Sequence, residues 1–267
     1  MTRISRNQVR YVRSLQQKKV RDDENVFVAE GHKCVEELLK AFTPVMIVVR
    51  SEEPVALKVK ADCPVLEASA IETEQMSSLR TPQGVIGVFR KPAAAALPGI
   101  TADGKEDAAG MLYLALDGIQ DPGNLGTIIR TADWFGIRHI VCSRDTADCW
   151  NAKVVQATMG ALARVTVHYT DLEVWLMQIR GQGAPNGTMN IYGTMLDGRN
   201  IYSPGAVPEK DRGVIVMGNE GNGISDGVRA LVTHPLFIPP YPAGADTSES
   251  LNVSTATAVT LAEFRRQ

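Results

Sequence analysis

From about residue 112 to 265 the sequence alternates short, unbroken apolar runs with amphipathic stretches, and this alternation limits the fold more than any other feature. Runs at 112–116, 139–142, 164–167, 190–193, 214–217 and 236–238 read as strands buried on both faces. Helical periodicity falls between and after them, at 127–135, 152–159, 172–179, 225–232 and 253–265. Strands covered on both faces and joined by helical crossovers mean an α/β fold with a mainly parallel sheet.

Ahead of this block lies a second, smaller pattern. A basic helix is followed by strands at 26–29, 45–49, 64–66 and 84–89 and helices at 32–42 and 71–79, which predicts an α/β/α domain over residues 1–90. Residues 91–110 turn to Ala, Pro, Gly and mixed charge without periodicity and read as a linker, leaving 111–267 as the larger domain. At 267 residues the chain is long for one compact domain, and two agree with its length.

A formal net charge of −2 is not the basic footprint of a typical nucleic-acid binder. Its distribution matters more. Residues 1–21 contain Arg3, Arg6, Arg10, Arg13, Lys18, Lys19 and Arg21 and no acid. Val9, Val12 and Leu15 fall on one helical face, so burial of that face leaves much of the charge for solvent or for phosphates. The four cysteines, Cys34, Cys63, Cys142 and Cys149, form no Cys-x-x-Cys pair, and neither a metal site nor disulfides are expected. No apolar run is long enough for a membrane span, which predicts a cytoplasmic protein.

Three polar islands interrupt the larger pattern. The first is Asp121-Pro-Gly-Asn-Leu-Gly-Thr-Ile-Ile-Arg130, the second Val214-Ile-Val-Met-Gly-Asn-Glu-Gly-Asn-Gly-Ile224, and the third joins Ile238-Pro239 to Ser250-Leu-Asn-Val-Ser254. The glycines at 218, 221 and 223 permit a tight turn that presents backbone N–H and C=O groups, which suits an adenine edge. The run fits neither the Walker pattern nor Gly-x-Gly-x-x-Gly, so nucleotide hydrolysis and dinucleotide binding lose support. Taken alone, Asn124 also suits a turn or a helix cap, Arg130 a surface pair with Asp133, and Ile238 and Leu251 the core.

In order, spacing and polar content the three islands resemble the signature motifs of the SpoU (TrmH-like) branch of the SPOUT RNA methyltransferases. The segments Tyr11-Val-Arg-Ser-Leu15, Phe27-Val-Ala-Glu-Gly31 with Lys33, and Leu79-Arg-Thr-Pro-Gln-Gly84 are similar to the ribosomal-protein-like substrate-binding domain that precedes many of them. The resemblance implies a C-terminal α/β domain with a deep trefoil knot, preceded by the RNA-binding domain. It implies transfer of a methyl group from S-adenosylmethionine to a ribose 2′-hydroxyl of RNA, with ribosomal RNA preferred to transfer RNA. A catalytically silent RNA-binding assembly factor is the alternative from another class.

The resemblance also assigns roles. Gly218, Asn219, Ile238, Leu251 and Asn252 fall to the cofactor, and Asn124, Arg130, Glu220, Ser250 and Asn252 to catalysis. A guanidinium stays protonated at ordinary pH, so Arg130 suits a fixed cation beside the developing alkoxide better than a general base. The proton acceptor stays open between phosphate, water and a transiently neutral Arg130. A homodimer is implied, with Val253, Ala256, Val259 and Leu261 of the last helix as a candidate contact surface. One departure stands out: the stretch from Pro240 to Glu249 is longer than the tight run the family places before Ser250.

Overall fold

The computed structural model describes residues 2–51, 57–59, 62–99, 112–181, 189–242, 248 and 250–266. Two compact units divide the chain, one formed by Met1–Ala94 with Asp148–Arg164, the other by Ala95–Ala147 with Val165–Gln267.

The first unit carries β1 (Thr2–Arg3), α1 (Arg6–Ser14), α2 (Lys18–Asp23), β2 (Val26–Glu30), α3 (His32–Leu38), β3 (Pro44–Arg50), β4 (Val65–Ala68), α4 (Ala70–Met76) and β5 (Val85–Arg90). Its sheet runs β1-β4-β3-β5-β2 and is mixed, because β5 pairs antiparallel with both β2 and β3. Ser5 and Gln8 form a capping box that starts α1, and Val9, Val12 and Leu15 are buried as their spacing requires.

The basic stretch is two helices rather than one, and Arg21 bridges the turn between them. Its Nη1 donates to the carbonyls of Leu15 (3.0 Å) and Gln16 (2.8 Å), satisfying groups left open where α1 stops. Its Nη2 pairs with Asp148 at 2.7 Å. Arg21 is only 2% exposed, so it does not join the solvent-facing charge of residues 1–21.

The second unit is built on β6 (Leu112–Asp117), α5 (Pro122–Trp134), β7 (His139–Ser143), β8 (Thr166–Thr170), α7 (Leu172–Gly181), β9 (Ile191–Asn200), β10 (Gly213–Gly218), α8 (Asp226–Arg229), β11 (His234–Phe237) and α9 (Val253–Phe264). Its sheet runs β11-β9-β10-β6-β7-β8, and every pairing in it is parallel. Between β7 and β8 the chain forms α6 (Ala152–Thr158) and a short 3₁₀ turn (Ala161–Ala163), which belong to the first unit. There α6 packs on β2, and the Trp150 ring lies 4.6 Å from that of Phe27.

Several boundaries differ from the sequence expectation, each for a local reason. Helix α5 begins at Pro122 because Asp121 caps it and proline is tolerated at the first helical positions. Strand β9 runs to Asn200 because its second half pairs with β11 beyond an irregularity in register. The stretch expected to be a linker is exposed at 92–96 and packed at its described end: Trp175 Nε1 donates to Pro98 O at 3.1 Å, and Gly99 (φ +73°) sits against Ile179. The rest of that stretch, 100–110, lies outside the described residues, as do 243–247 and 249 of the long stretch before Ser250.

Helix α9 packs on α5 and β10. Val253 and Leu261 are therefore 5% and 0% exposed inside the chain itself, so of the expected contact surface for a second copy only Ala256 and Val259 stay partly exposed. All four cysteines are free thiols, and burial pushes Cys34 up to about 12. No helix among the described residues is long and apolar enough to cross a membrane.

Candidate active site

Strand order reverses between β6 and β10, and in open parallel sheets the crevice at such a switch is where ligands bind. The two strands end level, Gly218 beside Asp117, so the loops that follow them leave together. Reciprocal hydrogen bonds clamp these loops. Asp117, 9% exposed, accepts from Ser225 N at 2.7 Å, and Asn219 Nδ2 donates back to Gly118 O at 2.7 Å. Gly118 adopts φ +70° and donates its N–H to Ser143 Oγ at 2.8 Å. In the sequence Asp117 suits a turn or a helix cap near Asn124, and the structure instead gives it to Ser225 on the glycine loop; the part of Ser143 in holding Gly118 has no signal in the sequence.

The glycine loop is shaped from within. Asn219 Oδ1 accepts from Gly221 N (2.8 Å) and Asn222 N (3.1 Å), while its backbone exchanges two 2.9 Å hydrogen bonds with Gly223. Both polar groups of its side chain and of its backbone are thus engaged within the protein. A Cβ on Gly218 would meet the Gly223 carbonyl carbon at 2.3 Å, so glycine is demanded there by the loop folding onto itself.

A chain of side-chain hydrogen bonds joins the three islands. Asp121, not Asn124, caps α5, accepting from Asn124 N at 2.8 Å and leaving the Asn124 side chain free. Asn124 Nδ2 donates to Glu220 Oε1, and its Oδ1 accepts from Asn252 Nδ2 at 2.9 Å. Asn252 Oδ1 in turn caps α9, accepting from Ser254 N (3.0 Å) and Thr255 N (3.3 Å). An ionised carboxylate only accepts and helix N–H groups only donate, so the two ends fix the orientation of both amides. The result is one directed relay between residues 96 and 128 positions apart in sequence.

The remaining expected residues are not part of this relay. Arg130 is exposed on α5, six residues and about 9 Å of helix axis beyond Asn124. No ion pair or side-chain hydrogen bond engages it among the described residues. Ser250 and Leu251 immediately precede the α9 cap and are exposed, Leu251 by 48%. Ile238 follows β11 and is half-buried. The backbone groups of Ile238 and Leu251 enter none of the turn and loop hydrogen bonds among the described residues.

Sequence comparison places this geometry. A profile described as the SpoU rRNA Methylase family matches residues 111–262, and one described as an MRM3-like substrate binding domain matches residues 6–87. The chain is 29% identical over 256 residues to the 23S rRNA (guanosine(2553)-2'-O)-methyltransferase RlmP of Bacillus subtilis, covering 95% of this chain and 94% of that protein. It is similar to the solved structure of an RNA methyltransferase of the TrmH family from Porphyromonas gingivalis, with TM-score 0.82 and 39% identity over 98% of each chain. It is likewise similar to the AdoMet-bound rRNA methyltransferase from Sinorhizobium meliloti, with TM-score 0.80 and 30% identity over 100% of this chain and 97% of that one. With a match spanning more than half of its length, the chain belongs to the SpoU rRNA methylase family.

Proposed function

We propose that this protein is an S-adenosylmethionine-dependent methyltransferase acting on a ribose 2′-hydroxyl of ribosomal RNA. The relay of Asn252, Asn124 and Glu220 at the switch point, six residues along α5 from an unengaged arginine, carries the reading. The relatives named as rRNA 2′-O-methyltransferases support the substrate class.

When bound, S-adenosylmethionine supplies an already activated methyl group, so the protein's task is alignment and local electrostatics. The backbones of Gly218, Ile238 and Leu251 hold the adenosine, and Asn219 keeps the glycine loop in shape. Glu220 and Asn124 orient the attacking hydroxyl through the relay. Arg130 stabilises the charge that develops on the ribose oxygen and grips the adjacent phosphate. Ser250 and Asn252 carry the third loop into the same crevice.

Three further assignments complete the reading. Residues 1–90 recruit RNA, while 111–267 hold the methyltransferase machinery with its C-terminal segment knotted. The protein acts in the cytoplasm. It works as a homodimer whose contact includes Trp134 on α5, which is 86% exposed. Trp134→Glu should yield monomers by sedimentation at micromolar concentration; a wild-type protein that is monomeric and fully active removes the dimer.

Nucleoside mass spectrometry of ribosomal and transfer RNA, from cells with and without the gene, tests the function itself. Loss of one 2′-O-methylnucleoside from ribosomal RNA is expected. Loss from transfer RNA would redirect the substrate, and no loss from either would leave a silent RNA-binding factor.

A further inference from the structure

In the first unit, α1 and α4 lie side by side and leave an open cleft of about 440 Å³ lined by Arg13, Gln16, Ile71, Glu74, Gln75 and Ser77. Two properties of its lining are unusual for a solvated helix face. Ile71 is 67% exposed, whereas Met76 on the same helix is 2% exposed in the core. Gln16 is held in place by the cleft's own backbone: its Nε2 donates to Met76 O (3.3 Å) and Ser77 O (3.1 Å), which leaves its Oε1 as an acceptor.

A row of charge leads into this cleft. Arg6, Arg10 and Arg13 are spaced i, i+4 and i+7, so they share one face of α1 over about 10 Å. All three are exposed, and no ion pair engages them among the described residues. An uncompensated cationic row complements a phosphate backbone. Glu74 decides the polarity of the arrangement, because its carboxylate repels phosphate from the cleft while accepting from N–H groups on a base edge.

We propose that this cleft seats one unpaired nucleotide of the RNA substrate, with its base against Ile71 and the plane of Arg13 and its backbone along Arg10 and Arg6. Unpaired bases are recognised by stacking on an arginine guanidinium with their edges open to hydrogen bonding, which is the part of Arg13, while Ile71 adds apolar contact to the base. Duplex RNA presents no free base face and cannot enter. The acceptors Gln16 Oε1 and Glu74 favour bases that carry an exocyclic amine. The inference rests on the RNA-methyltransferase reading for its ligand class, but on different residues.

Fluorescence anisotropy with the full-length protein tests it, using a labelled cytidine decamer, a uridine decamer and a ten-base-pair RNA duplex. Ile71→Ala, an exposed truncation that the core does not feel, should weaken cytidine-decamer binding about fivefold or more and leave duplex binding unchanged. Arg13→Ala should weaken it as well and lower the log–log salt slope by about 0.7. The wild type should prefer cytidine to uridine, and Glu74→Ala should remove that preference. Unchanged decamer affinity in both Ile71→Ala and Arg13→Ala, or equal losses for duplex, would overturn the proposal. Calorimetry with S-adenosylmethionine on the same variants separates the two readings. Wild-type cofactor affinity with unaltered RNA binding defeats the cleft alone, whereas absence of cofactor binding in the wild type defeats the methyltransferase reading.

Discussion

The two sheets treat their polar residues in opposite ways. In the mixed sheet's unit, the strongly polar side chains near the core are buried and engaged: Arg21 with Asp148 and two helix-end carbonyls, Glu30 with Ser77 and Ser78. At the switch point of the parallel sheet, Asn124, Glu220 and Asn252 stand at loop ends and bond mainly to one another, and Arg130 bonds to nothing described. A buried charge must be paired because desolvation is costly. Polar groups held in one orientation at an open crevice serve no such need, and they present set donors and acceptors to whatever enters it. The contrast teaches that burial, not charge, separates the arginine built into the scaffold from the arginine left open to solvent in this chain.

Arg21→Ala probes the scaffold side and carries the largest expected effect. It strands Asp148 and opens two carbonyls, so urea unfolding should show a loss of about 3–5 kcal/mol. A loss below about 1 kcal/mol would place Arg21 on the same footing as the exposed arginines and break the comparison.

Arg130 probes the other side. Arg130→Ala should slow single-turnover methyl transfer at saturating cofactor on the order of 100-fold or more, with little change in stability or in S-adenosylmethionine affinity. Arg130→Lys should fail almost as badly, since a point charge on a flexible stem does not reproduce a planar fork. Near-normal transfer by Arg130→Ala would make it a structural helix residue.

Asn252 combines both roles, and two substitutions split them. Asn252→Ala removes the α9 cap, at a cost of about 1 kcal/mol, together with the donor to Asn124, so stability and transfer should both decline. Asn252→Asp keeps the acceptor for the helix but loses the donor. It should keep the wild-type melting temperature while transfer falls roughly tenfold, on the scale of one lost hydrogen bond to a polar group. Equal transfer by Asn252→Asp and wild type would remove the relay from the mechanism.

The smallest effect concerns a buried pair away from the crevice. His168 is 6% exposed and lies 3.2 Å from His139; burial, and secondarily that neighbour, push it down to about 4. The unfolded chain, with histidine near about 6.5, binds the proton first. This contribution to stability is therefore full above about pH 6.5 and is lost as pH falls toward about 4. Melting temperature measured across that window should decline, and His168→Gln should flatten the decline.

Much of this was legible in the sequence. Apolar runs alternating with helical periodicity point to a mainly parallel sheet, because helical crossovers cover both faces of its strands. Asn124, Glu220 and Asn252 stood out as polar residues on glycine-rich or capping loops. Local pattern also located the start of α9 at Val253, whose cap depends on neighbours within a turn.

Contacts between distant residues were decided only by the tertiary structure. Nothing near position 21 announces that this arginine will be buried, since its partner lies 127 residues on. The same holds for the segment Asp148–Arg164, which interrupts the parallel sheet's sequence yet completes the core of the first unit through Trp150 and α6. The direction of the relay likewise needed three loops in one place before each amide had a single way to face. Sequence patterns report which face of an element is buried. Which polar group meets which depends on strand order and loop path, and these are set by the packing of the whole sheet.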